Sequence, residues 1–152
     1  MRVSATVDYA LRALIEIAHR EENAPVTAEE LSQAQDISRR FLLTILADLQ
    51  RAGIVRSQRG SAGGWSLARP AHTVTVADVV RAVDGPLVSI HGVRPESVRY
   101  NGTASSLQLV WIAARSSLRE VLESVTLQHL VDGELPAQVH RRTRDDDAWV
   151  PH

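Results

Sequence analysis

The chain has 152 residues, of which 44% are hydrophobic and only 4% aromatic, with a formal net charge of −1. That suffices for one domain with a core of Leu, Val, Ile and Ala, or for one small domain with an appendage. The near-neutral balance excludes a protein that coats nucleic acid by bulk charge. The absence of cysteine excludes disulfides, thiolate metal sites and thiol redox sensing. There is no lysine, so every cation other than His is Arg. The first twenty residues scatter charges through an apolar pattern and do not resemble a signal peptide. No apolar run reaches the ~18 residues of a membrane span, and a cytoplasmic location with no membrane partner is expected.

Val7, Leu11, Leu14, Ile15 and Ala18 recur at helical spacing and predict an amphipathic helix over residues 3–20, broken at Glu21–Pro25. Thr27-Ala28-Glu29-Glu30 has the form of a capping box and starts a short helix to about Gln35. After a turn at Asp36-Ile37, Ser38 can cap a helix to Ala52. Phe41, Leu42, Ile45, Leu46 and Leu49 are expected inward, with Gly53 as the stop. Two short helices joined by a tight turn make a helix-turn-helix. Ile54–Gln58 and Trp65–Ala68 read as a hairpin, and Gly60, Gly63 and Gly64 between them permit positive φ in a tight exposed loop.

Thr75-Val76-Ala77-Asp78 starts a further capped helix that ends at Gly85-Pro86. Residues 86–103 are expected as an irregular arm. Leu107, Val110, Trp111, Ala114, Leu118, Val121, Leu122 and Val125 then keep a 3–4 spacing that predicts a long helix over about 104–125. Leu127–Val131 reads as one more turn, and from Ala137 the chain is polar and expected as a flexible tail. The expected fold is mostly α with a small β-wing. Its parts are a winged-helix domain (1–85), an arm (86–103), a dimerisation helix with a short cap (104–136) and the tail (137–152).

The segment Ile37–Leu67, ISRRFLLTILADLQRAGIVRSQRGSAGGWSL, carries the functional signal. Arg39, Arg40, Arg51, Arg56, Arg59 and Arg69 fall between residues 39 and 69 against the single acid Asp48, a local charge of about +5. A positive helix followed by a positive hairpin suits a reader that lays the helix in the major groove and the wing on the backbone or minor groove. Arg39 and Arg40 start a helix, where a cation sits poorly against the dipole, which favours a partner of opposite charge. Arg59, beside Gly60, is the best single candidate, and Ser57, Gln58 and Ser61 are plausible phosphate donors. Trp65 reads as a packing residue. The glycine turn is followed by no helix start or P-loop lysine, the His residues show no zinc-protease spacing, and no nucleophile, base and orienter cluster in sequence. We therefore expect no enzyme and no metal site.

The opening MRVSATVDYALRAL, the wing RGSAGGWSLARP and the following TVADVVRAVDGP resemble the Rrf2 family of bacterial winged-helix regulators, closely over residues 1–85 and in type along the long helix. The resemblance implies a homodimeric transcription regulator, usually a repressor, on a near-palindromic double-stranded DNA operator. It implies base contacts from Ser38, Arg39, Arg40, Leu43 and Thr44, and a minor-groove contact from Arg59. It also implies a dimer interface on the long helix, for which the stripe Leu107, Trp111, Ala114, Leu118, Val121, Leu122 and Val125 is the candidate. Sensing members hold an iron–sulfur cluster with three cysteines in the segment between the helix that follows the wing and the long helix. Here that segment, PLVSIHGVRPESVRYNGTASS, has none, so no cofactor is expected. Asp8 stands where some relatives place a cluster ligand, and alone it reads as a helix-surface residue. His91, Arg94, Tyr100 and Trp111 are the candidate lining of a small-molecule effector pocket. The alternative reading is a winged-helix module acting mainly through a protein partner.

Overall fold

The computed structural model describes residues 3–20 and 25–151. The expected break at Glu21–Pro25 therefore lies, apart from Pro25, outside the described residues. Helices α1 (Ala5–Arg20), α2 (Ala28–Gln35) and α3 (Arg39–Arg51) are followed by strands β1 (Val55–Gln58) and β2 (Gly64–Leu67). Then come α4 (Val76–Val83), α5 (Leu107–Leu122), α6 (Leu127–Asp132) and α7 (Ala137–Thr143).

Local chemistry sets the ends of these elements. Both capping boxes form: the Thr27 and Thr75 hydroxyls accept from the N–H of Glu30 and Asp78, whose carboxylates accept from the threonine N–H in return. Asp36 closes α2 in the left-handed region, and the Ser32 hydroxyl donates to the Ile37 carbonyl at 2.6 Å, bracing the turn into α3. Ser38 departs from expectation: it precedes α3 but its side chain makes no capping hydrogen bond. Phe41 departs too. It is 38% exposed on α3, its ring meeting the edge of Tyr9 at 5.7 Å rather than entering the core.

The core lies among α1, α2, α3, α4 and the base of the hairpin. Leu14, Ile17, Leu31, Leu42, Ile45, Leu46, Leu49, Ile54, Val74 and Val79 are fully buried there. α6 returns to this core after the long helix. The Leu127 N–H donates to the Val74 carbonyl at 2.9 Å, the Val76 N–H to the Val125 carbonyl at 2.9 Å, and the Leu127 side chain is fully buried. The last turn of the expected dimerisation segment thus belongs to the winged-helix core. A third capping box starts α6, with His129 in the place usually held by Glu: its Nδ1 accepts from the Thr126 N–H at 3.1 Å.

α5 is different. It has 16 residues and none is buried. One face holds the arm: Gln108 Nε2 donates to the carbonyls of Pro95, Glu96 and Val98, Trp111 Nε1 donates to the Tyr100 hydroxyl at 3.1 Å, and Arg115 pairs with Glu96. Residues 95–100 of the arm are therefore strapped along α5 over three successive turns. The C-terminal residues also differ from expectation. Residues 137–143 form α7, which is tied to α5 at Glu120, where Gln138 Nε2 donates to the carbonyl at 2.8 Å and Arg142 pairs with the carboxylate at 3.0 Å. These contacts are polar and long-range, which is why no apolar periodicity announces the helix.

Candidate nucleic-acid interface

α3 buries Leu42, Ile45, Leu46 and Leu49 and turns the opposite face outward. Ser38, Arg39, Arg40, Leu43, Thr44 and Ala47 all lie exposed on that side or at its start. The Thr44 hydroxyl is 3.4 Å from the Arg40 carbonyl, a weak contact that leaves it available. Leu43 is 37% exposed, a large apolar side chain with no intramolecular reason to be outside.

The hairpin stands beside this face. β1 and β2 pair antiparallel from Val55↔Leu67 to Gln58↔Gly64. Val26 adds a one-residue third strand, exchanging N–H and carbonyl with Trp65 at 2.7 and 2.9 Å. The two central glycines of the wing are explained here. A Cβ on Gly63 would lie 2.3 Å from the Gln58 carbonyl oxygen, and one on Gly64 would lie 2.7 Å from that of Val26. Gly63 is thus needed for close approach and not, as the spacing suggested, for a positive φ. Trp65 is half-buried at the wing base, as expected of a packing residue. Gln50 Nε2 donates to the Ser57 hydroxyl at 3.2 Å and links the end of α3 to β1.

The six arginines of this region divide into two groups. Arg39 faces Glu29 at 3.7 Å, Arg51 pairs with Asp48, and Arg69 pairs with Asp78 at 3.3 Å. Arg40, Arg56 and Arg59 have no acidic partner among the described residues. Arg56 donates to the Ser66 hydroxyl at 3.1 Å and is exposed on the outer side of β1. Beyond its place in the charge count, strand alternation after the buried Val55 is the signal that puts Arg56 outside. Arg59, Gly60 and Ser61 occupy the exposed tip. Of these six arginines, the three without an acidic partner thus lie at the α3 start and on the wing.

A family model described as Rrf2, Iron-dependent Transcriptional regulator, matches residues 3–133. The chain belongs to the Rrf2 family. It is 40% identical over 145 residues to a Mycobacterium tuberculosis protein named as an HTH-type transcriptional regulator, covering 95% of this chain and 90% of that one. Among solved structures, CymR of Bacillus subtilis, the global cysteine regulator, aligns with a TM-score of 0.74 at 27% identity, covering 87% of this chain and 97% of that one. IscR of T. potens aligns with a TM-score of 0.70 at 28% identity, covering 91% of each chain. This Rrf2 protein is a DNA-binding transcription regulator with the winged-helix fold of those relatives, and its α3 and hairpin are the helix and wing of that fold.

The family description names iron, and the donor set does not fit it. The chain has no cysteine, and no three His, Asp or Glu side chains come together among the described residues. Asp8 faces Arg12 at 3.5 Å on the surface of α1. In the arm, Glu96 is engaged by Arg115, and His91 sits exposed in a left-handed turn between Ile90 and Val93. The four candidate pocket residues separate: Tyr100 and Trp111 bond to each other, Arg94 lines a different cleft, and His91 is at a turn tip. No helix of the described residues is long and apolar enough to cross a membrane.

The candidate dimer stripe also separates. Leu107 and Ala114 are exposed, Trp111, Leu118, Val121 and Leu122 are half-buried, and Val125 is 6% exposed inside its own chain. Leu109 and Val110, at 68% and 55% exposed, are the most open apolar side chains of the helix. Both lie outside the candidate dimer stripe, which follows a single 3–4 spacing from Leu107.

Proposed function

We propose that this Rrf2 protein acts as a homodimeric repressor. In this reading two copies of α3 enter successive major grooves of a near-palindromic operator while the two wings grip its flanks. The carrying observation is the set of unpartnered arginines: Arg40 at the start of α3 and Arg56 and Arg59 on the wing lack acidic partners among the described residues. Phosphates or guanine edges are the partners such forks fit. Ser38, Arg39, Leu43 and Thr44 complete the helix face, with Ser57, Gln58 and Ser61 as hydroxyl and amide donors to the backbone. Arg39 would exchange its loose pairing with Glu29 for DNA.

The dimer is supported by α5, whose Leu107, Leu109, Val110, Ala113 and Ala114 face solvent. An apolar groove of about 360 Å³ adjoins it between α1, α4 and α5, lined by Val7, Leu11, Val76, Val80 and Leu122 among others. A second copy of the same helix covers such a face with self-complementary chemistry. Footprinting on the DNA upstream of the protein's own gene tests the reading. A protected near-palindrome that weakens with salt and is lost on Arg59→Ala supports it. No protection at low salt, with or without the substitution, contradicts it.

A further inference from the structure

A second concentration of arginine lies away from the reader. Arg81 on α4, Arg94 on the arm, and Arg115 and Arg119 on α5 converge on a cleft of about 430 Å³ floored by Gly85, Pro86, Leu87 and Val88. Its size lies within the range of small-molecule sites. The charges that face it can be enumerated. Glu96 is held by Arg115, and Glu123 is shared by Arg81 and Arg119, the latter through two bonds at 3.0 and 3.2 Å. Asp78 lies 3.7 Å from Arg81 but also serves Arg69, so it adds no spare negative charge. Arg94 has no hydrogen bond or close ion pair to its guanidinium among the described residues and attracts Glu96 only at longer range. The four arginines of the lining thus exceed by two the carboxylates that pair with them, Glu96 in the lining and Glu123 beside it. Three structural units supply the arginines.

Four arginines lining one cleft, three of them sharing only two carboxylates, leave guanidinium donors over for a planar or tetrahedral dianion. We propose that this cleft binds a small dianion presenting carboxylate or phosphate oxygens, with Arg94 and Arg115 as its principal clamps. Arg81 and Arg119 already bridge α4 to α5 through the Glu123 carboxylate. A bound dianion competes with that carboxylate for the same forks and so acts on the strap between the DNA-reading domain and the long helix. This last consequence rests on the regulator reading above; the binding itself does not.

Calorimetry on the full chain without DNA, at constant chloride, tests the binding, with inorganic phosphate and succinate titrated separately. Saturable binding of either one with a dissociation constant below ~1 mM is expected, and the one that binds identifies phosphate or dicarboxylate as the chemistry. Arg94→Gln, which breaks no close ion pair within the chain, is expected to weaken it by about tenfold or more. Arg142→Gln, on the α7 side of α5, leaves it unchanged. Absence of saturation with both anions up to ~10 mM overturns the proposal. So does an equal effect of Arg94→Gln and Arg142→Gln, which would reflect general charge. A cleft that binds its anion beside a failed footprint would locate the error in the regulator reading.

Discussion

The DNA-reading domain and the long helix contrast in where their apolar surface goes. In the first, α1 to α4 and the hairpin bury their apolar faces against one another, and even α6 is recruited from beyond the long helix. In the second, α5 buries no residue and leaves Leu109 and Val110 in solvent. A helix is rarely kept by propensity alone, and burial of one face supplies most of its stability. The contrast separates a part whose apolar faces are covered within one chain from a part whose apolar face stays open, the face that the proposed second copy would cover.

Substitutions on the two sides of this divide should behave differently. Leu127→Ala is the largest expected effect. It empties a fully buried site and should cost about 2–5 kcal/mol, read as a lower denaturant midpoint, although Leu127 follows α5 in sequence. A loss below ~1 kcal/mol would mean that α6 belongs with α5 instead. Val110→Asp should leave the folding of the reader intact while weakening self-association by about 100-fold, a cost of roughly 3 kcal/mol for placing a charge in an apolar seam. If it unfolded the whole chain, the divide would be misplaced.

Removing Arg59 or Arg40 should weaken operator binding by about 1–3 kcal/mol and lower the salt slope by about one, with melting temperature unchanged. Charge reversal at both positions sharpens the point, because a protein partner held elsewhere would stay bound. His129→Ala removes the acceptor for the Thr126 N–H and should cost ~1 kcal/mol, while His129→Glu restores the cap. The smallest effect concerns Glu30. Hydrogen bonds from the Thr27 side chain and then its backbone hold its carboxyl below the ordinary value of 4.5. This contribution is complete above that value and is lost as pH falls through the depressed one. Glu30→Gln should therefore flatten the acid limb of a melting-temperature profile and change little near neutrality.

What could be read from the residues alone follows from the range of the forces involved. The capping boxes at Thr27 and Thr75, the stop at Gly53 and the inward face of α3 depend on neighbours three or four positions away, and they appear where the spacing puts them. The cap at Thr126 went unread because His replaces the usual carboxylate. Phe41 was misplaced because an amphipathic pattern defines a wide face but not which edge of it is covered. Tyr9, on α1 and far away in sequence, meets the ring edge to face. Which arginines are neutralised was invisible, since Glu29 and Asp78 reach Arg39 and Arg69 only through the fold. The bridge from Val26 to Trp65 rests on single residues and has no periodic signature, yet it explains why Gly64 is required.

The most direct test is the mass of the intact protein in solution by sedimentation equilibrium across micromolar concentrations. The account predicts a species of twice the 16.7 kDa of one chain, reduced to a single chain by Val110→Asp. A wild-type protein that stays at 16.7 kDa throughout would show that the open face of α5 is not completed by a second copy, and the two-part account would fail.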